Sequence, residues 1–250
     1  MSTQQRVPPA RPTAAAQFKV ACSHCALKDL CLPVGLSRHE LAQLDGLVAT
    51  RLTVPRGAAL YRCAEPFTSL YAVRTGFFKT RTCTADGREH VTGFQMAGEL
   101  LGLDGVGSGL HTCDAVALEA SQVCTIAYLR FQEISRDVPE LQRQFHKVLG
   151  REIVRDHAVM MLLSSMRAEE KVAAFLLNLS HRLQARGFSS TALLLRMTRE
   201  EMGTYLGLKL ETISRCLSRF NEQGILKVCH RDVRILEPAA LEALVNSATI

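Results

Sequence analysis

Three cysteines fall close together near the start of the chain, within the stretch VACSHCALKDLCLP at residues 20–33. The spacing of Cys22, Cys25 and Cys31 suits three ligands carried on one short loop. Thiolates bind soft metal ions and iron–sulfur clusters, and neighbouring thiols can also act as a redox pair. A four-coordinate centre needs a fourth ligand, which this stretch does not contain. The sequence therefore indicates an incomplete metal site, with ordinary packing of small apolar side chains as the alternative.

The composition is that of a globular protein, and we expect neither a membrane span nor an export signal. The chain has 250 residues, of which 47% are hydrophobic and 22% charged, enough for one large domain or two smaller ones. No apolar run is long enough to cross a bilayer, and no signal-peptide pattern opens the chain. We therefore expect a cytoplasmic protein with no membrane partner. Its nine cysteines are expected to stay reduced there, which favours metal or redox chemistry over disulfides.

The charge distribution favours a polyanionic partner. The net charge is +6, and basic residues outnumber acidic ones in the last third of the chain. Such a bias is typical of nucleic-acid-binding domains, although many plain protein surfaces share it. An enzyme is the weaker expectation, because no His/Asp/Glu constellation accompanies the cysteines. The segment GVGSG at 105–109 is too short for a phosphate-binding loop and lacks its lysine.

Hydrophobic periodicity predicts an α+β chain that begins with strands. Residues 1–19 are expected to form a disordered arm. Over 51–129, short alternating segments broken by Gly and Pro predict a small β-barrel or sandwich. The Asp-Gly pair in ADGR, residues 85–88, predicts a hairpin turn within it. After Pro139 the pattern becomes helical.

Two helices are expected next, and the first carries an apolar seam. The first runs over 140–165, and the second covers 168–186 and ends at Gly187. Along the first helix, five residues recur at alternating spacings of four and three: Leu149, Ile153, Asp156, Met160 and Leu163. This pattern is typical of a helix that pairs with another, and it predicts a homodimer, with an ordinary core helix as the alternative.

Ile153 and Asp156 are the candidate switch positions of that dimer. In a symmetric pair Asp156 would face its own copy, and the two carboxylates would oppose association. A solvated position at the edge of the seam is the open alternative for Asp156. The seam therefore predicts both an attraction and a repulsion between two copies.

The strongest local pattern is a helix-turn-helix in MTREEMGTYLGLKLETISRCLSRFNEQGIL, residues 197–226. Thr198 can cap the first helix, and Glu201 completes a capping box. Gly207 ends that helix in a tight turn, and Leu210 opens a second helix. Strand-like runs on either side of the sequence HRD that follows predict a β-hairpin wing.

The second helix of this motif has an outer face suited to DNA. Its inner positions are apolar: Ile213, Leu217 and Phe220. Its outer positions are polar: Glu211, Ser214, Arg215 and Arg219. Arg can donate two hydrogen bonds to guanine, Glu can accept one from cytosine, and the start of such a helix meets base edges in the major groove. We therefore take these four polar residues as candidate DNA-binding residues, with a solvated helix face as the alternative.

The segment LGLKLETISRCLSRF resembles the recognition helix of the cyclic AMP receptor protein and FNR superfamily of bacterial transcription regulators. Its Glu211-x-x-Ser214-Arg215 core resembles the FNR, oxygen-responsive branch. The order of parts is also similar, with a β-roll sensor, a long dimerisation helix and a winged helix-turn-helix. This resemblance implies a homodimer that binds an inverted repeat of TTGAT-like half-sites in double-stranded DNA and activates or represses genes.

The resemblance also implies boundaries and a further partner. The sensor would span 20–138, the dimerisation helix 139–166 and the DNA-binding domain 167–250. The loop at 83–90 lies where the family contacts RNA polymerase, although its mixed charge leaves the strength of activation open. Members that bind cyclic nucleotides follow a Gly-Glu-Leu with an Arg-Ser pair. Here GEL at 98–100 is followed by no Arg before Arg130, so no cyclic nucleotide is expected.

The cysteine spacing, Cys22-x2-Cys25-x5-Cys31, resembles the N-terminal ligand run of FNR. The family's fourth ligand lies late in the β-roll, in a V-C-x-I setting that QVCTIAY matches at Cys124. Cys113 is the competitor. Cys124 is preferred because its flanks match and because strand alternation would point it away from its neighbours. The resemblance thus implies a 4Fe–4S cluster on four thiolates, with zinc as the alternative metal.

The mechanism that the resemblance implies links oxygen to the association of two chains into a dimer. Without oxygen the long helices would pair, and destruction of the cluster by oxygen would loosen the N-terminal arm and let the repulsion at Asp156 part the dimer. Other signals on the same architecture are nitric oxide, thiol redox state or a small molecule. A zinc-stapled DNA-binding protein without a sensing role is a further alternative, as is an iron–sulfur or zinc enzyme.

Overall fold

The computed structural model describes most of the chain, namely residues 13–14, 22–27, 30–32, 34–45, 48–84 and 86–246. The chain divides into two compact units, Met1–Leu149 and Gly150–Ile250, and the division falls within one long helix. The arm predicted at 1–19 lies outside the described residues, apart from two residues that form a short strand. The domain boundaries expected from the sequence stay predictions.

The first unit contains two antiparallel sheets built from nine strands of the described chain. These are β1 (Thr13–Ala14), β2 (Val48–Val54), β3 (Ala59–Tyr61), β4 (Ser69–Thr75), β5 (Phe77–Cys83), β6 (Glu89–Met96), β7 (Leu100–Leu101), β8 (Asp114–Ala117) and β9 (Ser121–Ala127). One sheet has the order β1-β2-β9-β4-β7 and the other β3-β8-β5-β6. The hairpin predicted at the Asp-Gly pair joins β5 to β6, where Gly87 has a φ of 81°. The predicted β-roll is confirmed.

Three helices accompany these sheets: α1 (Arg38–Asp45), α2 (Tyr128–Asp137) and α3 (Pro139–Ser165). The long helix begins at a proline, which suits a first helical position because proline has no amide hydrogen to leave unpaired. The range of α3, Pro139–Ser165, confirms the long helix predicted over 140–165. No helix in the described part of the chain is long and apolar enough to cross a membrane.

Two cores hold the first unit together, one on each face of the five-stranded sheet. The inter-sheet core lies between the two sheets and consists of Val54, Ala58, Leu60, Tyr61, Val73, Phe78, Leu101, Cys113, Ala115, Ala117 and Val123. The helix-facing core consists of Leu32, Leu44, Leu70, Ala72, Leu100, Cys124, Ile126, Phe131, Val138, Leu141, Phe145 and Val148. Successive strand residues point to opposite faces, so Val123 and Cys124 enter different cores. Burial of these apolar groups is the main stabilising contribution.

The second unit is a winged helix-turn-helix, as predicted. Its further helices are α4 (Ala168–Gln184), α5 (Arg199–Leu206), α6 (Leu210–Glu222) and α7 (Pro238–Asn246). Its sheet has the order β10-β12-β11, formed by β10 (Ala192–Leu194), β11 (Leu226–Cys229) and β12 (Asp232–Ile235). The helix α4 ends slightly earlier than predicted, because the amide of Phe188 closes back on the carbonyl of Leu183 at 3.1 Å around Gly187.

Candidate metal centre and nucleic-acid interface

The N-terminal cysteines lie on a loop wound into tight turns. The amide of Cys25 donates to the carbonyl of Cys22 at 3.1 Å, and the amide of Cys31 donates to the carbonyl of Leu27 at 3.0 Å. The loop rests on the turn between β6 and β7, where Gly98 has a φ of +87°. A Cβ on Gly98 would lie 2.9 Å from the Cβ of Leu30, so only glycine allows this close approach.

The four predicted ligands come together in the first unit. Cys124 belongs to the helix-facing core, and Cys22 and Cys31 pack against that core. Cys25 lies close enough that its charge raises the pKa of each of the other three thiols. Burial, followed by the neighbouring thiolates, raises the pKa of Cys22 to about 12. Burial likewise raises the pKa of Cys31 to about 12, so both thiols hold their protons in the metal-free chain.

Cys113, the competing fourth ligand, lies elsewhere. Its side chain belongs to the inter-sheet core, and its thiol donates to Oδ2 of Asp104 at 3.5 Å. Burial and the charge of Asp104 raise the pKa of Cys113 to about 12. Because the N-terminal loop packs on the opposite face of the sheet, Cys113 is poorly placed to complete its ligand set.

The donor set fits a thiolate-bound group, although the thiols are not closed around one. Among the described residues, no three His, Cys, Asp or Glu side chains surround a metal position at bonding distance. Thiolates are nevertheless the ligand type that iron–sulfur clusters and zinc prefer, and three of the four candidates, Cys22, Cys31 and Cys124, meet at one core. A bound metal group would replace the protons that burial otherwise retains on these thiols. Of the cysteines outside this group and Cys113, Cys63, Cys83 and Cys229 are exposed, and Cys216 is buried.

Two arginines that the sequence reading missed stand beside Cys124. Burial raises the pKa of the Cys124 thiol, and the charges of Arg51 and Arg74 act against that rise. Arg51 lies on β2 and Arg74 on β4, the two strands that flank β9. Arg51 pairs directly with Cys124, and Arg74 lies at an irregularity in the pairing of β4 with β9. No local sequence motif connects residues so far apart in the chain.

The helix-turn-helix is fixed by the capping interactions predicted for it. The amide of Glu201 donates to Oγ1 of Thr198 at 3.1 Å, and the amide of Thr198 donates to Oε2 of Glu201 at 2.7 Å. Gly207 ends α5 with a φ of 64°. A Cβ on Gly203 would lie 2.6 Å from the carbonyl oxygen of Leu208, so the turn between the helices packs directly on α5. These contacts set the angle at which α6 leaves the turn.

The recognition helix α6 presents the predicted outer face. Its inner residues Ile213, Leu217 and Phe220 are buried. Of its outer residues, Glu211, Arg215 and Arg219 are exposed and Ser214 is half-buried. The guanidinium of Arg219 is engaged by a carboxylate, since its Nη1 lies 2.5 Å from Oε1 of Glu169 on α4. The first turns of α6 therefore offer three groups for base edges, and the fourth is partly neutralised.

The wing adds cations that the sequence reading did not assign. Lys227, Arg231 and Arg234 are exposed on β11, the turn and β12. The guanidinium of Arg199 donates to the carbonyl of His230 at 3.4 Å, which ties the start of α5 to the tip of the wing. Exposed cations at such positions suit phosphate contacts, which orient a protein on DNA without reading its sequence.

The seam of α3 changes character along its length. Leu149 packs against the helix-facing core. Beyond it, Ile153, Met160 and Leu163 are 55%, 65% and 42% exposed, and Asp156 is exposed among them. Beyond Leu149 the seam is thus a largely exposed apolar stripe, and Leu163 near its end lies close to Gly207, where a Cβ would be 3.3 Å from the Leu163 side chain.

Comparison with known proteins identifies the family. A family model described as Crp-like helix-turn-helix domain matches residues 170–244, and one described as cyclic nucleotide-binding domain matches 51–137. The transcriptional regulatory protein btr of Bordetella pertussis is 44% identical over 97% of this chain and 98% of its own. The chain belongs to the CRP/FNR family of transcription regulators.

Other CRP/FNR proteins agree with this assignment. The fumarate and nitrate reduction regulatory protein of Escherichia coli K12 is 41% identical over 90% of both chains. The transcriptional activator protein FnrA of Stutzerimonas stutzeri is 41% identical over 93% of this chain and 96% of its own. The solved structure of FixK2 from Bradyrhizobium japonicum superposes with a TM-score of 0.73 at 30% identity, covering 79% of this chain and 98% of that one. The prediction of a CRP/FNR regulator is confirmed, and this CRP/FNR protein carries a DNA-binding helix-turn-helix.

Proposed function

We propose that this CRP/FNR regulator senses oxygen through a 4Fe–4S cluster held by Cys22, Cys25, Cys31 and Cys124. The single observation that carries the proposal is that Cys22 and Cys31 pack against the same core as Cys124, on the opposite face of the sheet from Cys113. Relatives named for fumarate and nitrate reduction, at 41% identity, support an anaerobic role. When bound, such a cluster supplies an oxygen-labile link between thiolates that are far apart in sequence.

The residues around the thiols can pass a change at this site to the long helix. Leu141, Phe145 and Val148 of α3 belong to the helix-facing core that contains Cys124. A Cβ on Gly35, just beyond the cysteine loop, would lie 3.4 Å from side-chain atoms of Glu140 and Gln144 on α3. The loop and the start of α3 therefore share one packed region. Displacement of the loop would remove packing from beneath α3.

The exposed stripe of α3 would bury itself in a homodimer. Ile153, Met160 and Leu163 lose contact with water when two copies pair along this helix. Asp156 would then approach its own copy, and the carboxylate pair would keep the association weak enough to be reversed. Two recognition helices held in this way would meet the two TTGAT-like halves of an inverted repeat, about one turn of DNA apart. Activation would use a contact with RNA polymerase at the loop 83–90.

A cyclic nucleotide is not part of the proposal. The segment after Gly98, Glu99 and Leu100 contains Asp104, a carboxylate that accepts hydrogen bonds from the amide of Thr112 at 2.8 Å and from Tyr61 at 3.3 Å. Burial raises the pKa of Asp104, but hydrogen bonds from His111 and Thr112 outweigh burial and hold that pKa below its usual value. An ionised carboxylate in this segment disfavours a buried phosphate.

The deciding experiment starts with the full chain purified without oxygen. We expect about four iron and four sulfide per chain, no stoichiometric zinc, and a brown absorbance that fades in air. Binding to a TTGAT-type inverted repeat should fall as the absorbance fades, while binding to a scrambled repeat stays weak throughout. A colourless, zinc-loaded protein with the same DNA affinity in air and without it would refute the proposal. If DNA binding responded to nitric oxide but not to oxygen, nitric oxide would take the place of oxygen as the proposed signal.

A further inference from the structure

Arg51 and Arg74 bracket Cys124 from both sides. In the sheet order β2-β9-β4, Arg51 pairs directly with Cys124 across β2 and β9, and Ala72 pairs with Cys124 across β9 and β4. Directly paired residues in a sheet point to the same face. Arg51 therefore lies on the face of Cys124, in line with the hydrogen bond and the charge that it directs to this thiol.

A β-bulge places Arg74 close to Cys124 as well. The register between β4 and β9 runs from Val73 opposite Val123 to Thr75 opposite Gln122, so Arg74 is the extra residue on β4. A bulge breaks the regular alternation and redirects the side chain that it inserts. The inserted residue follows Val73, whose neighbour Ala72 pairs with Cys124, so Arg74 lies two residues along β4 from the partner of that thiol.

Each of the two guanidinium groups has a buried donor that finds no acceptor among the described residues. Nε of Arg51 and Nη1 of Arg74 are shielded from water and have no hydrogen-bond partner in the part of the chain that the structure describes. Buried polar groups are nearly always paired, and an unpaired buried charge is costly. Two such donors beside one thiol indicate that an acceptor with negative charge belongs in this space.

We propose that Arg51 and Arg74 are the charge partners of the metal group at Cys124, donating their free N–H groups to its sulfur atoms. This inference rests on the proposed function. An iron–sulfur cube on four thiolates is an anion whose sulfur atoms accept hydrogen bonds, and its potential depends on charge, hydrogen bonding and solvent exposure. The two arginines retain the cluster and raise its reduction potential, because positive charge favours the added electron.

The test compares R51Q, R74Q and the double variant with the wild type, each purified as the full chain without oxygen. Gln removes the charge and keeps a polar side chain of similar reach. We expect at least about tenfold lower retention of iron against a chelator, as is usual when a group that supports a metal ligand is lost. The midpoint potential of the remaining cluster should fall, and R51K and R74K should recover most of that shift.

R81Q is the matched control, since Arg81 is also a half-buried strand arginine but pairs with Glu89 and Asp114 on the other sheet. It should keep the iron retention and potential of the wild type. Thermal unfolding of the metal-free variants checks that each one folds. The midpoint reduction potential of the cluster separates the effect of the arginine charge from any change in stability. Wild-type iron and potential in R51Q and R74Q would overturn the inference and leave the proposed function standing. A wild type that never binds iron would overturn both, as would an arginine-dependent affinity of the metal-free chain for cyclic AMP.

Discussion

Arg219 on the recognition helix is held by Glu169 on α4, with Nη1 and Oε1 2.5 Å apart. Both side chains are partly exposed, at 60% and 31%, so the ion pair is screened by water and contributes little stability. Its effect is instead on position and charge. Glu169 draws Arg219 toward α4 and offsets its charge, whereas Arg215, nearer the start of α6, is an exposed residue.

The two arginines of α6 are therefore expected to contribute unequally to DNA binding. R215A should weaken binding to the TTGAT-type repeat by about 1–3 kcal/mol per half-site and relax its sequence preference, because a base contact is lost. R219A should cost less and leave the preference unchanged. Titrations of the protein purified without oxygen against matched and mutated repeats measure the affinity and the sequence preference of each variant.

E169Q supplies the complementary measurement. Releasing Arg219 should raise affinity for any DNA sequence, and the dependence of log affinity on log salt should steepen by about one per chain. E200Q, at an exposed carboxylate on α5, is the control for the general loss of a negative charge. Equal losses in R215A and R219A would show that the pairing with Glu169 does not persist on DNA.

The helix-turn-helix could be predicted because its determinants are local. Thr198 and Glu201 bond to each other within one turn, and Gly207 takes a left-handed conformation that glycine favours. The helix α1 has a similar signal at Ser37 and Glu40, whose amides and side chains bond reciprocally, and the sequence reading overlooked it. By contrast, α2 starts after Ala127 without any side-chain cap, so no start signal exists in the sequence.

The seam of α3 predicts opposite effects for two neighbouring substitutions. D156A should produce a dimer that persists in air, because the repulsion between two carboxylates disappears and an apolar side chain replaces each. I153A should weaken the dimer formed without oxygen by about 2 kcal/mol or more, since Ile153 would lose buried contacts at the pairing face. Sedimentation equilibrium with and without oxygen measures both effects.

V154A is the matched control for the seam. Val154 is 67% exposed and follows Ile153 by one position, off the repeating pattern. Its truncation should leave the dimer constant unchanged. If V154A weakened association as much as I153A does, the pairing face would lie elsewhere on α3. If D156A were monomeric in air, repulsion between the two Asp156 carboxylates would not be what separates the dimer.

The two candidate fourth ligands can be separated by single substitutions. C124S should abolish the brown absorbance and the oxygen response, because only the three loop thiols Cys22, Cys25 and Cys31 then remain as candidate ligands. C113S should keep both, since its hydroxyl can still donate to Asp104 in the inter-sheet core. Iron and sulfide analyses after purification without oxygen give the result. The reverse pattern would reassign the fourth ligand to Cys113.

The choice between these two thiols shows what a sequence cannot supply. The loop Cys22–Cys31 and the strand around Cys124 are distant in the chain, and only the fold shows which face of the sheet the loop covers. The placement of Arg51 and Arg74 depends in addition on strand order and on a bulge, neither of which has a local sequence signal. Family resemblance pointed to the candidate ligands, and tertiary pairing was needed to find the arginines beside Cys124.

The approach of Leu30 to Gly98 predicts a last effect, one that acts on the cysteine loop without touching a ligand. G98A would place a Cβ 2.9 Å from that of Leu30 and would also strain a backbone with a φ of +87°. G87A carries a comparable strain at a φ of +81°, but nothing lies within 4 Å of its new Cβ. Both variants should therefore lose about 1 kcal/mol or more of stability from the backbone conformation, as measured by denaturant unfolding of the metal-free chain. Only G98A should also lift the loop, and it should lose iron in air faster than the wild type and G87A do. Equal rates of iron loss in the two variants would mean that the contact of Leu30 with Gly98 does not hold the loop in place.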